Sequence, residues 1–254
     1  MGYQEMTQLR ETPSRQKSKY RPPSSHECID LQTLLATSGR QQLQAGQLSL
    51  LDKSGKDGVP GLSLYVVGNI ELAYKPAISV IGTRKVSDLG RLRANRFARE
   101  LAEAGVTVVS GLADGVDTQA LQAAIKAGGD VIAVIGTPID KSYPAKNAGL
   151  QEQIYRDHLL VSQFPIGTRT YPSSFPERNR TMAAISDGSV IIEASESSGT
   201  LHQAAECVRL GRWLGISKSV VEDPKLKWPE KFLGYEKCVV LSDTKQFLQK
   251  VYPN

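Results

Sequence analysis

The chain has 254 residues, of which 40% are hydrophobic and 22% are charged, with a net charge of +5. This composition is typical of a soluble globular protein built as one large domain, or as one domain with appendages. No apolar run approaches the roughly 20 residues that a membrane helix needs. The first residues also lack the apolar core of a secretory signal. We therefore expect a cytoplasmic protein that makes no membrane contact.

The cysteines and histidines indicate neither disulfides nor a metal site. The three cysteines are scattered and odd in number, which predicts reduced thiols. The three histidines are equally dispersed, and neither residue type shows metal-ligand spacing. These residues are Cys28, Cys207, Cys238, His26, His158 and His202. We therefore expect no metal.

The positive charge is concentrated at the start of the chain. Residues 1–25 hold five lysines and arginines against two glutamates, are rich in Gln, Ser and Pro, and are predicted to be a disordered basic tail. Such a tail adds non-specific attraction for phosphate. Residues 26–61 are predicted to form a short helix, Cys28–Gln44, with Leu31, Leu34 and Leu35 on one face, and a Gly-rich linker, Ser54–Gly61.

From Leu62 to the end of the chain, short apolar strands alternate with helices. Strands are predicted at Leu64–Val67, Ala77–Ile81, Val106–Val109, Val131–Ile135, Ser189–Ile192, Trp213–Ile216 and Cys238–Leu241. Helices are predicted at Asp88–Ala104, with Leu89, Leu92, Phe97 and Leu101 inward, at Asp117–Lys126, with Asp117 as its N-cap, at Leu201–Leu210 and from Asp243 onward. Strands that are apolar throughout indicate a parallel sheet covered on both faces. We therefore predict a Rossmann-like, doubly wound α/β domain over residues 62–254.

Four predicted strands end in small glycine-containing loops. These loops are Gly82-Thr83-Arg84, Ser110-Gly111, Gly136-Thr137 and Ser198-Gly199-Thr200. In an open parallel sheet the ligand crevice lies beyond the carboxyl ends of the strands, where glycines let the backbone approach a ligand. The hydroxyl groups and Arg84 suit this predicted crevice to phosphate. No loop matches G-x-G-x-x-G or a P-loop, so we expect no nucleotide cofactor.

The segment Phe175–Ser186 is predicted to enter a helix through Pro176, with Arg178 and Arg180 around Asn179 in its first turn. A helix N-terminus is already positive, so two arginines there suggest that an anion binds between them. The same pattern also fits a structural anchor in which the arginines pair inside the fold. The segment alone leaves both interpretations open.

Several segments together are similar to the DNA-processing protein A (DprA/Smf) family. They are Ile81–Ser87, Val109–Asp117, Asp140–Asn147 with Leu150, Phe175–Arg180 and Ser198–Leu201. The resemblance covers Leu62–Leu248 and implies a minimal form of an extended Rossmann core. It implies sequence-independent binding of single-stranded DNA by a homodimer. It also implies help in loading a RecA-type recombinase during natural transformation, without catalysis.

The resemblance also assigns roles to individual residues. Arg84, Arg178, Arg180 and Lys146 are expected to contact phosphates, and the pocket is expected to be ordered by Asn147, Asn179 and the loop hydroxyls. Tyr143, Tyr171 and Phe175 are candidates for base stacking, although each also suits a core or lid position. The family loop commonly reads Ser-Gly-Leu-Ala-Arg-Gly, whereas this chain has Asp114 in place of the arginine. We expect this exchange to weaken DNA binding or to change the ligand.

Two alternatives come from the same broad superfamily. Lonely-guy-type hydrolases cleave nucleoside monophosphates with a Glu that corresponds to Gln203 here, and a neutral amide cannot act as general acid or base. Glu193 and Glu206 lie near in sequence but not at the required offset. A non-catalytic sensor of a small nucleotide needs no such glutamate, and it stays open.

Overall fold

The computed structural model describes residues 20–44, 47, 62–196 and 199–253. Nine strands within these residues form one sheet in the order β1-β2-β6-β5-β4-β3-β7-β8-β9. The strands are β1 Glu27–Asp30, β2 Ser63–Gly68, β3 Ala77–Gly82, β4 Thr107–Ser110, β5 Val131–Ile135, β6 Leu159–Ser162, β7 Gly188–Glu193, β8 Trp213–Ser217 and β9 Cys238–Leu241. The six adjacent pairs from β6 to β9 are parallel, whereas β1 pairs with β2, and β2 with β6, in antiparallel fashion.

Helices connect these strands and cover both faces of the sheet. They are α1 Leu31–Thr37, α2 Asp88–Glu103, α3 Val116–Lys126, α4 Ala148–Asp157, α5 Ser174–Ala184, α6 Thr200–Arg209, α7 Lys218–Val221, α8 Glu230–Leu233 and α9 Thr244–Val251. Short 3₁₀ helices occupy Ile70–Tyr74 and Ala145–Asn147. Two hydrophobic clusters result, one on each face. The predicted doubly wound, mostly parallel α/β fold is therefore confirmed.

Helix α2 buries only part of the face that was predicted to point inward. Phe97 and Leu101 are buried as expected, but the Leu89 and Leu92 side chains are 63% and 64% exposed. Both leucines belong to the first turns of α2, at the edge where the strands end. The helix is instead fixed there by Ser87, whose hydroxyl accepts a hydrogen bond from the Gly90 amide.

The predicted N-terminal helix is shorter than the sequence suggests. Its first residues form β1, which pairs with β2, and α1 follows at Leu31–Thr37. Leu31, Leu34 and Leu35 are fully buried, as their shared face predicted. The sheet thus begins at Glu27, upstream of Leu62. The predicted linker Ser54–Gly61 lies outside the described residues.

Two further boundaries differ from the prediction. Asp117 is not the N-cap of α3 but its second residue, because Gly115 occupies the cap with φ 78°. The sequence also failed to predict α4 and β6, which complete the crossover after β5. Within the described residues, no helix is both long and apolar enough to cross a membrane.

Candidate functional site

A crevice of about 800 Å³ opens beyond the carboxyl ends of the parallel strands. Its lining comes from the segments that follow β3, β4, β5, β6 and β7. The chain builds the sheet outward from β3 through β4, β5 and β6, then returns to place β7 on the other side of β3. The crevice therefore lies at the topological switch point, where ligands of open α/β sheets bind.

The loop after β3 forms one wall of the crevice. A side chain at Gly82 would overlap Val116 and the Glu193 carbonyl oxygen, so only glycine permits this close packing. The Thr83 amide donates to the Glu193 carbonyl oxygen at 2.7 Å, which fixes the loop against β7. Arg84 then projects as an exposed side chain at the crevice mouth.

An aromatic ring lies against this arginine. The Arg84 guanidinium lies 5.4 Å from the centroid of the Phe175 ring, which in turn lies 5.2 Å from the Tyr143 ring. Tyr143 and Tyr171 are about half exposed, and both line the crevice together with Phe175. Each of the three predicted stacking candidates is thus a crevice residue, with ring surface exposed at Tyr143 and Tyr171.

Helix α5 contributes the opposite wall, and it begins earlier than predicted. Its first residue is Ser174, so Pro176 lies inside the first turn, where a missing amide hydrogen costs nothing. Arg178 consequently occupies the second turn, not the helix entrance. The Arg178 side chain is only 4% exposed, and Nη1 donates to the carbonyl oxygens of Gly111 and Val134. Its Nε donates to Asn179 Oδ1.

Arg178 therefore has the contacts of the structural anchor that the sequence left open. The residue ties α5 to the carboxyl ends of β4 and β5, and it lines the crevice floor. A methyl group at Gly111 would overlap its guanidinium, which explains the glycine at that position. Since its donors are engaged with carbonyl oxygens, the observed contacts of Arg178 are internal to the fold.

A buried carboxylate accompanies this arginine. Burial raises the pKa of Asp117 to about 6, although Arg178 and amide hydrogen bonds from Ala113 and Gly111 oppose the shift. Burial likewise lowers the pKa of Arg178, and Asp117 opposes that change. The guanidinium stays charged, because its ordinary pKa lies far above neutral. The crevice floor thus carries a paired charge, and the exposed cation is at the mouth.

The predicted site residues separate into two groups. The crevice lining includes Gly82, Thr83, Arg84, Arg178, Asn179, Gly199 and Thr200. The other described candidates, Ser110, Gly111, Lys146, Asn147 and Arg180, lie outside this lining. Ser198 lies outside the described residues.

Each residue of the second group has an identifiable place. Ser110 is fully buried, and its hydroxyl donates to the Val80 carbonyl oxygen at 2.6 Å. Asn147 is buried and donates to the Leu112 carbonyl oxygen. Arg180 Nε lies 3.3 Å from Glu206 on α6. Gly111 lines a small adjoining cavity, and Lys146 pairs with Asp114 on the outer rim.

The carboxylates considered for hydrolysis are engaged elsewhere. Glu193 accepts hydrogen bonds from the amide and hydroxyl of Ser87, and Glu206 pairs with Arg180 and Arg209. Gln203 is fully buried, with Nε2 donating to the Ser189 hydroxyl. Asp117 is the one carboxylate among the described lining residues. Among all the residues that the structure describes, no group of His, Cys, Asp and Glu side chains is placed to hold a metal ion.

Some lining residues were not predicted as part of the site. They include Asp117, Thr170, Met182 and Gln203. From the sequence, Asp117 was interpreted as the N-cap of its helix. Gln203 was interpreted as the residue that replaces the catalytic glutamate of the hydrolases. Thr170 follows β6, which was itself missed, so its position after a strand end gave no usable signal.

Comparison with known proteins agrees with this architecture. A family model described as DNA recombination-mediator protein A matches residues 53–251. The chain is 38% identical over 149 residues to DNA processing protein DprA of Streptococcus pneumoniae, covering 59% of this chain and 52% of the relative. It is 30% identical over 193 residues to Protein Smf of Escherichia coli, covering 76% and 51%. The chain thus spans about half the length of these curated relatives.

Two solved structures show the same fold. DNA processing protein A from Streptococcus pneumoniae superposes with a TM-score of 0.68 at 32% identity, covering 74% of this chain and 66% of that one. The homologue from Helicobacter pylori, whose structure is described with a single-stranded DNA binding mode, gives a TM-score of 0.70 at 23% identity, covering 92% and 97%. The family match and the shared architecture lead to one conclusion. This chain belongs to the DNA recombination-mediator protein A family.

Proposed function

We propose that this chain binds single-stranded DNA, without sequence preference, in the crevice beyond the parallel strands. One observation carries the proposal: Arg84 lies at the crevice mouth over the Phe175 ring, and Tyr143 and Tyr171 line the same crevice. Sequence-tolerant strand binding needs a cation for the phosphate backbone and aromatic faces on which bases stack. Both are present at one edge of the sheet.

The comparisons support this proposal. The family description names a recombination mediator, and the Helicobacter pylori homologue is described as binding single-stranded DNA. On this basis the finer proposals are a RecA-type recombinase as partner, a homodimeric state and a role in natural transformation in the cytoplasm. The proposed phosphate contacts within the crevice are Arg84 and the loop residues Gly82, Thr83, Gly199 and Thr200.

Binding without catalysis is part of the proposal. Asp117, the carboxylate of the described crevice lining, accepts a hydrogen bond from the Ala113 amide and lies near Arg178, so it is held as a structural group. Incubation with nucleoside monophosphates should therefore release no free base. Release of base would instead support the hydrolase alternative, and tight binding of a monophosphate without release would support the nucleotide sensor.

The crevice itself is tested by Arg84→Gln. Because Arg84 is exposed and supplies the charge at the mouth, the variant should fold normally and bind a single-stranded oligonucleotide more weakly. The slope of log affinity against log salt should become shallower by about 0.7, the value for one phosphate contact on a single strand. Fluorescence anisotropy at several salt concentrations measures both quantities.

Arg156→Gln is the matched control. Arg156 is exposed at the last turn of α4, at the opposite edge of the sheet, so its loss removes the same charge far from the crevice. Equal effects of the two substitutions would show that net charge, not the crevice, governs binding.

A further inference from the structure

Another cavity, of about 220 Å³, adjoins the crevice at Arg84. We call it the basic cleft; its charged lining residues are Arg84, Lys85, Arg91, Lys146 and the carboxylate Asp114. The remaining lining residues are Val86, Gly115, Thr118 and Gln119. Four cations and one carboxylate thus surround a mostly polar cavity, which suits a phosphate group better than a base.

The basic cleft shares one lining residue with the crevice. Arg84, in the turn after β3, lines both cavities. Lys85 is the next residue, and Arg91 follows on the first turns of α2. A DNA strand that leaves the crevice past Arg84 would therefore lie next to Lys85 and Arg91.

Two of these cations have anionic neighbours. Lys146 Nζ lies 2.8 Å from Asp114 Oδ1, and Arg91 Nε lies 3.4 Å from Asp88 Oδ1. The Lys146 side chain is 69% exposed and that of Arg91 is 50% exposed. Because both cations are at least half exposed, these pairs contribute little to stability, and a phosphate can compete for the cations. Asp114 itself opposes an incoming phosphate.

We propose that the basic cleft is a second phosphate-binding site, which holds the backbone of the same DNA strand after it leaves the crevice. In this arrangement, the Asp114–Lys146 pair limits the affinity of the second site by occupying one of its cations. The inference rests on the proposed function, since the strand is placed by the crevice. It adds Lys85 and Arg91 to the DNA path, assigns Lys146, already expected to contact phosphate, to the second site, and gives Asp114 a role in setting the strength of that site.

The test compares two double variants, each of which removes two cations from α2 or from the turn that precedes it. Lys85→Gln with Arg91→Gln removes two cations of the basic cleft, whereas Arg96→Gln with Arg99→Gln removes two exposed cations farther along α2. Single-stranded oligonucleotides of about 4 to 16 nucleotides, the range of known site sizes, are titrated at several salt concentrations. Unfolding midpoints establish that both variants are folded.

The basic cleft predicts a length-dependent result. The Lys85/Arg91 variant should lose up to about tenfold in affinity for the longer oligonucleotides, with a salt slope shallower by about 1.4, the value for two phosphate contacts on a single strand. Its affinity should stop rising at a shorter oligonucleotide length than that of the wild type. The Arg96/Arg99 variant should follow the wild type. Equal losses in both variants, or no loss in either, would overturn the inference.

Asp114→Asn provides an independent second variant. Removing the carboxylate releases Lys146 and ends the repulsion, so affinity for the longer oligonucleotides should rise by about threefold. The gain should become smaller when Lys146→Gln is added, because only the end of the repulsion then remains. A gain of the same size with and without Lys146 would contradict the proposed competition for that cation. If the wild type binds no oligonucleotide, the proposed function itself fails, whereas a binding wild type with unaffected variants rejects only the second site.

Discussion

Two arginines at the crevice show how burial decides the role of a side chain. Arg178 is 4% exposed and directs Nη1 to the backbone carbonyl oxygens of Gly111 and Val134. Arg84 is exposed and lies over the Phe175 ring. The first arginine holds three elements together, and the second is placed to meet a ligand. Both residues are arginines, and only their burial and their partners distinguish the structural anchor from the group that is free to bind a ligand.

We therefore expect Arg178→Ala to lower stability. The change leaves the Gly111 and Val134 carbonyl oxygens without a donor and leaves Asp117 buried without its cation. Each buried polar group left without its partner costs about 1–3 kcal/mol, so a loss of several kcal/mol is expected. Urea unfolding followed by circular dichroism measures this loss. Arg84→Ala, at an exposed position, should stay within about 0.5 kcal/mol of the wild type. An unchanged unfolding midpoint for Arg178→Ala would contradict the anchor role.

The sequence could predict which residues follow strand ends, but not which of them are buried. Gly82, Thr83 and Arg84 line the crevice as predicted, because the residues after a parallel strand share one edge of the sheet. Ser110 and Asn147 are instead buried. The backbone carbonyl groups that they bond, like those bonded by Arg178, lie 30 or more residues away in sequence, so no local pattern reveals these hydrogen bonds.

Among the secondary-structure elements, α2 shows the limit of helical periodicity. Leu89 and Leu92 fit the apolar spacing of the helix, yet both are exposed, whereas Phe97 and Leu101 are buried. The first turns of α2 lie at the carboxyl edge of the sheet, where the strands end. Periodicity predicts which face of a helix is apolar, but it does not predict how far along the helix the neighbouring elements extend.

This difference within one helix is measurable. Leu89→Gln and Leu92→Gln should each change the free energy of unfolding by no more than about 0.5 kcal/mol, as expected for exposed positions. Phe97→Ala should cost about 3–5 kcal/mol, because it leaves a cavity between α2 and the sheet. Urea denaturation of the three variants provides the comparison. A large loss at either leucine would mean that another surface covers it in solution.

Some strands of only four residues carry too little pattern to be predicted from the sequence. The parallel strands β5 and β9 were predicted with their observed bounds, because each is a continuous apolar run between turn signals. By contrast, β1 reads Glu-Cys-Ile-Asp and alternates too briefly to be recognised. Pairing of β1 with β2, across more than thirty residues of chain, depends on the tertiary fold and not on local sequence.

At the scale of the whole molecule, the sheet topology brings the site together. The crossover that returns the chain from β6 to β7 opens the crevice beside β3, and loops from five strands converge there. The start of the described chain also reaches this region. The Tyr20 hydroxyl donates to the Ile139 carbonyl oxygen at 2.7 Å and accepts from Gln151. The predicted basic tail, of which residues 1–19 lie outside the described residues, is thus joined to the chain beside the loop that carries Tyr143.

The central claim is tested most directly by titrating the full chain with a single-stranded oligonucleotide at several salt concentrations. The proposed contacts predict binding at low salt that weakens linearly, in a plot of log affinity against log salt, by about 0.7 per phosphate contact. They also predict similar affinities for oligonucleotides of different sequence, since bases stack and are not read by hydrogen bonds. An absence of binding at low salt would contradict the account.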